Sequence, residues 1–109
     1  MSRQETLFFG RRTLKKEVNS MRGDYDIPRT SLKIEFDHRR DDYYGAHGLH
    51  CHVVSGRDRI ASVNLHSFTV MAGSLDGKDG RLAMEWIRDN ASMLIRDAEY
   101  WRDNGAIWQ

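Results

Sequence analysis

The clearest alternation of apolar and polar positions is Leu32-Lys33-Ile34-Glu35-Phe36, which predicts a strand with one side on a core and the other in water. The same period of two runs through Leu49 to Val54 and Arg59 to Leu65. Between them, Ser55-Gly56-Arg57-Asp58 has the turn chemistry of a hairpin. In the simplest register Val54 faces Arg59, His52 faces Ala61 and His50 faces Val63. A further strand is expected over Ser67 to Met71, continuous with the preceding one through a bend, and Ala72 to Gly77 leads out of the sheet. The period then becomes helical. From about Gly80 to Asn104, Leu82, Trp86, Leu94, Ala98 and Trp101, supported by Ala83, Ile87 and Ala91, make one broad stripe, with Asp76 and Asp79 as candidate caps and Gly105 as terminator. Asn90 interrupts that stripe. It caps a second helix or marks a bend, because an unpaired amide against a core costs about 1–3 kcal/mol. Upstream, Leu14, Val18 and Met21 predict a helix over Arg11 to Arg22 stopped by Gly23, and Asp24 to Thr30, with the single proline Pro28, reads as a connector.

Neither the helical stripe nor the strands can hide their apolar faces alone. Packing one on the other predicts an α+β fold: a small antiparallel sheet of three to four strands on a long C-terminal helix, with an added N-terminal helix. Phe36, Val63, Phe68 and Val70 are expected to meet Leu82, Trp86, Leu94 and Trp101. With 109 residues the chain supports one core, so residues 1–30 are read as a basic extension and 31–109 as a single domain.

Charge modifies this picture at one end. The net charge is only +1, but Lys and Arg outnumber Asp and Glu ten to six before residue 41 and fall behind, seven to ten, after it. No apolar run is long enough to span a membrane, and Leu7-Phe8-Phe9 is too short for an export signal. Cys51 is the single cysteine, so no internal disulfide can form, a cysteine-based zinc knuckle is excluded, and a reducing cytoplasmic setting is expected.

Candidate chemistry gathers at Leu49-His50-Cys51-His52-Val53-Val54. On a strand His50 and His52 share one face, close to a polar segment, Asp37 to Gly48, that carries Asp37, His38 and His47 and is read as a mobile loop. Two neutral imidazoles with Asp37 or His38 make a candidate site for zinc or another divalent ion. Alternatively the rings are half-buried and held by helix or loop groups such as Glu85. As a third reading His50 and His52, with His38 or His47, are candidate acid–base residues for cleaving a ribose–phosphate bond, with Arg39 or Arg40 holding the phosphate. Cys51 alternates away from the histidines and is expected to pack as a small hydrophobe. Arg11, Arg12, Lys15 and Lys16 form a positive patch suited to an acidic protein surface or to phosphates. Tyr43 and Tyr44, near arginines, are residue types that dominate interfaces, and Ala106-Ile107-Trp108 is an apolar tail.

From about Leu32 to Trp101 the chain resembles the small bacterial family called domain of unknown function 4160. The matching residues are Asp37-His38 after a strand, His50-Cys51-His52-Val53 where the family has Pro-His-Phe-His-Val, the turn Gly73-Ser74-Leu75, and Glu85-Trp86 within a helix. Gly48 and Leu49 stand where the family's prolines are expected, and Cys51 replaces its phenylalanine. Residues 1–30 lie outside the resemblance. It implies a short cytoplasmic bacterial or phage product, often encoded beside a small partner in toxin–antitoxin-like or regulatory gene pairs, with no agreed enzymatic activity.

The expectation is therefore a module that binds a macromolecular partner, foremost a protein and secondarily nucleic acid, in a toxin–antitoxin-like, regulatory or host-system-inhibiting role. Arg39, Arg40, Tyr43 and Tyr44 would meet the partner, with the basic residues of the N-terminal helix as a second surface. No cofactor is required by this reading. The alternative is a metal-dependent or histidine-based hydrolase or nuclease at His50, His52, His38 and Asp37. Homodimerisation is compatible with a thin core, though no heptad demonstrates it.

Overall fold

A computed structural model describes residues 24–44 and 48–105. The chain forms a five-stranded antiparallel sheet in simple sequential order, β1 (Asp24–Asp26), β2 (Leu32–Glu35), β3 (His50–Ser55), β4 (Asp58–Asn64) and β5 (Val70–Gly73), followed by helices α1 (Gly77–Asp89) and α2 (Ala91–Asn104). A 3-10 turn, Arg40–Tyr43, lies between β2 and β3. The α+β class agrees with the apolar patterning, but the sheet has five strands rather than three or four. The helix expected over Arg11 to Arg22 lies outside the described residues.

The additional strand is β1. Asp24 and Asp26 flank one apolar residue, a pattern too short to read as a strand, yet Tyr25 pairs with Ile34 and places its ring beside Phe36 and Trp86. The segment read as a connector thus begins as an edge strand and closes in a tight turn. There, the Ile27 N–H donates to Leu32 O, the Thr30 hydroxyl donates to Ile27 O, and Ile27 itself is buried.

The β3–β4 hairpin departs from the simplest register in a way that decides the chemistry. Val54 does face Arg59, but Val53 faces Ala61, leaving Ile60 as an extra residue on β4. Because side chains alternate along a strand, this bulge moves every later pairing by one. Cys51 faces Val63, His52 faces Ser62 and His50 faces Asn64, instead of His52 facing Ala61 and His50 facing Val63. Ala61 and Val63 consequently join Ile34, Cys51 and Val53 in the buried layer, while the histidines share the other face with polar partners.

The chain does not continue from β4 through a bend. It reverses, because the Asn64 side chain accepts the N–H groups of His66 and Ser67, and the N–H of Phe68, at φ 60°, donates to Asn64 O. The last strand therefore begins at Val70 and uses Ala72 and Gly73, residues expected outside the sheet. Val70, expected in the core, is 39 % exposed. Phe68 remains half-buried, with the Arg88 guanidinium 5.2 Å from its ring centre.

The long helical stripe divides at Asn90, whose amide Nδ2 and backbone N–H both donate to Trp86 O, while its own carbonyl accepts the Leu94 N–H. That geometry satisfies the amide and starts a second helix. Ala83 and Ile87 from α1, with Leu94 and Ala98 from α2, complete the core with Phe36, Leu49 and Leu65. Asp76 occupies the cap position through its backbone carbonyl, which accepts the Gly80 N–H, and α1 starts three residues before the expected Gly80. Gly105 ends α2 as expected, through close approach: a Cβ there would lie 2.5 Å from His38 O. Among the described residues, no helix is long and apolar enough to cross a membrane.

Candidate functional site

Asp37 lies two residues beyond β2, immediately after the buried Phe36, and its carboxylate turns onto the polar face of β3 and β4. Oδ2 accepts hydrogen bonds from His50 Nε2 at 2.9 Å and from His52 Nε2 at 2.7 Å. Oδ1 accepts one from Arg59 Nη1 at 2.8 Å, and Arg59 Nε reaches Glu35 at 2.9 Å. Alternation along β3 sets the two imidazoles side by side, with ring centres 5.1 Å apart and planes nearly perpendicular.

The partners fix the protons. His50 Nδ1 lies 2.9 Å from Gly48 O, and its Nε2 faces the carboxylate. Both neighbours can only accept, so both ring nitrogens donate and His50 is an imidazolium. Burial alone would lower its pKa, but the bonds to Asp37 and Gly48 outweigh that and raise it. For Asp37 burial acts to raise the pKa, and the donors His50, His52 and Arg59 overcome it, holding the carboxyl far below its ordinary range. His52 Nε2 likewise faces only the carboxylate and carries a proton, which leaves Nδ1 as the acceptor for the Ser62 hydroxyl at 2.9 Å in the neutral ring. The chain Ser62–His52–Asp37 is thus directional.

His50 also joins the two ends of the Asp37–Gly48 segment, bonding Asp37 at one end and Gly48 at the other. Tyr43 closes the arrangement: its ring lies 5.0 Å from that of His50 and its hydroxyl donates to Asp37 O. Burial, then the Asp37 charge, keeps that phenol protonated. A cavity of about 330 Å³ opens beside the cluster, lined by Asp37, Asp41, Asp42, His50, His52 and Ser62, with Met71 and Ala72 of β5 at one side.

Several residues singled out in the sequence lie elsewhere. His38 does not join His50 and His52; its ring stacks on Trp101 at 4.0 Å, because the chain turns outward after Asp37 toward the end of α2. That removes it from the metal and acid–base sets. Tyr43 is 3 % exposed and belongs to the core, whereas Tyr44 is 54 % exposed. Arg40 Nε donates to Arg102 O, tying the 3-10 turn to α2, and Arg39 is on the surface. The described ends of the segment read as a mobile loop are held by Asp37, Tyr43 and His50. Asp37 and Gly48 hold the rings rather than Glu85, which is exposed. Cys51 is fully buried and turned away, its thiol pushed up to about 12 by burial, as its packing role requires. His47, Arg11, Arg12, Lys15, Lys16 and Trp108 lie outside the described residues. Arg59 and Ser62 were not anticipated as site residues. The hairpin turn was a sufficient signal for Arg59 near Val54, but Ser62 reaches His52 only through the bulge at Ile60.

Fold and site together define a small α+β protein whose sheet carries a carboxylate–imidazole cluster on the face away from its core. Residues 42–99 match the family model described as Domain of unknown function (DUF4160), and the chain belongs to that family. No curated protein and no solved structure matches it. The matched stretch includes His50, His52, Arg59 and Ser62 but begins after Asp37, so β2 brings the carboxylate to the site from outside it.

Proposed function

We propose that this protein is a partner-binding module, in a toxin–antitoxin-like or regulatory setting, that displays the Asp37–Gly48 segment to a protein partner. The observation that carries this reading is the bridge made by His50 between the two ends of that segment. A surface loop that would otherwise sample many conformations is tied at both ends by one buried imidazolium, which reduces the ordering entropy of association. Arg39 and the exposed Tyr44 are the contact residues on the described part of the segment, and both are types enriched where binding energy concentrates. Arg40 and Tyr43 support the segment from behind. The test is titration calorimetry against the protein that co-purifies with the full chain from its native host. Tyr44→Ala with Arg39→Ala should weaken binding by at least tenfold with the melting temperature within a degree or two of wild type. Unchanged affinity would overturn the assignment of this surface.

A second reading, a metal-dependent or histidine-based hydrolase acting on nucleic acid, draws on one observation: one ligand atom from each of Asp37, His50 and His52 lies within 4.8 Å of the others. The Nδ1 atoms are fixed by Gly48 O and Ser62 Oγ, the kind of outer contact that orients metal-binding histidines. A divalent ion would have to displace the protons on both Nε2 atoms. Elemental analysis of the purified protein, with His50→Ala and His52→Ala as controls, decides it: stoichiometric metal lost in both variants supports this reading, and metal-free wild type refutes its metal-dependent form.

A further inference from the structure

We infer that Ser62 is a nucleophile, activated by His52 and Asp37, toward small esters and other activated acyl donors. Ser62 sits on β4 directly opposite His52, and its hydroxyl is 2.9 Å from Nδ1. The ring's other nitrogen faces Asp37 Oδ2 at 2.7 Å, a group that can only accept, so in the neutral ring the proton sits on Nε2 and Nδ1 is the acceptor. The order hydroxyl, imidazole, carboxylate is the one nucleophilic catalysis uses: a base within reach of the hydroxyl and an orienting group behind the base. Asp37 is itself held by Arg59 and by His50, so its position does not depend on the ring it orients.

The site also has access. Ser62 lines the cavity of about 330 Å³ together with Met71 and Ala72, whose small or flexible side chains leave room for a short acyl group. Met71 and Ala72 come from β5 and His52 from β3, so an ester entering there meets the hydroxyl between two strands. The His52 ring centre lies 5.1 Å from that of His50, and its Nε2 lies 2.7 Å from the Asp37 carboxylate.

In the reaction the Ser62 O–H proton passes to His52 Nδ1 as Oγ bonds to the carbonyl carbon, and the carbonyl π pair moves onto its oxygen. When that pair returns, the ester C–O bond breaks, and the departing alkoxide takes the proton from Nδ1 to leave as the alcohol. Water then repeats the sequence on the Ser62 ester, releasing the acid and restoring the hydroxyl. Neither metal nor redox partner enters.

This inference stands apart from partner binding, and its test has a separate readout. The full-length protein is incubated with a fluorophosphonate probe, from which Oγ displaces fluoride, and analysed by intact mass and peptide mapping. A single adduct on Ser62 is expected, absent in Ser62→Ala and formed roughly a hundredfold more slowly in His52→Ala, the scale of a positioned general base. Nitrogen NMR of the wild-type histidines guards against a misfolded variant: the neutral His52 ring should carry its proton on Nε2 with Nδ1 bare. No adduct on Ser62, labelling indifferent to His52, or a neutral ring protonated on Nδ1 would each overturn the assignment.

Discussion

Asp37 and His50 stabilise the fold in opposite pH directions, and their signs define a window. His50 has its pKa raised in the fold because the bonds to Asp37 and Gly48 overcome burial, so its contribution is complete below its ordinary value of 6.5 and is lost as pH rises through the folded value. The Asp37 pKa lies below its ordinary 3.8, despite burial, because of its three donors, so its contribution is present above 3.8 and disappears as pH falls through the depressed value. The urea midpoint should be highest between these two ordinary values, and His50→Gln should flatten its decline on the alkaline side. Asp37→Asn should cost about 3 kcal/mol at pH 6 by leaving the His50 charge and Arg59 without their shared counter-ion. The tyrosine pair separates by burial: Tyr43→Ala should cost about 3–5 kcal/mol in chemical denaturation, as for other large buried aromatics, and Tyr44→Ala within about 0.5 kcal/mol. At this scale the sequence revealed the paired histidines, the neighbouring Asp37 and the inert Cys51. It did not separate Tyr43 from Tyr44, because adjacent tyrosines in a polar segment give no period from which burial follows. Nor did it separate His38 from the cluster, which required knowing that the chain turns toward Trp101.

Among the elements, those with a sustained period were legible and those fixed by one contact were not. Leu32-Lys33-Ile34-Glu35 carries its alternation openly and is β2; the stripe from Leu82 to Trp101 likewise appears as helix, with Asn90 at its division. The first strand could not be read because only Tyr25 in Asp24-Tyr25-Asp26 is apolar, and its place in the sheet comes from the backbone ladder to β2. The last strand was misplaced because the reversal depends on hydrogen bonds to the Asn64 side chain and a left-handed Phe68, neither of which leaves a periodic trace. Its final residue is nevertheless constrained. At Gly73, with φ 71°, a Cβ would fall 2.0 Å from the Ile60 carbonyl oxygen, so Gly73→Ala must push β5 away from β4. A loss of about 2 kcal/mol or more is expected in urea unfolding, along with faster amide exchange in Val70 and Ala72.

For the molecule as a whole, the division of labour runs between the two faces of one sheet. The helices cover the face bearing Ile34, Val53 and Val63, so stability is concentrated there, and the opposite face is released to carry Glu35, His52, Ser62 and Arg59. Substitutions on the second face should therefore alter chemistry or binding more readily than folding, except at Asp37 and His50, which serve both. The α+β class followed from patterning alone; the choice between displaying a loop and transferring an acyl group did not, because both proposals use the same imidazoles.

Ile60 sets which of two neighbouring residues stands across from His52. Drawing Ile60 into the ladder opposite Val53 would bring Ala61 into the place that Ser62 holds, erasing the hydroxyl and turning methyl groups toward water, whereas deleting Ile60 would close the bulge and leave His52 across from Ser62. Within this architecture, a slip of one residue is a more abrupt change than most replacements, and the irregularity in the fourth strand is itself part of the site.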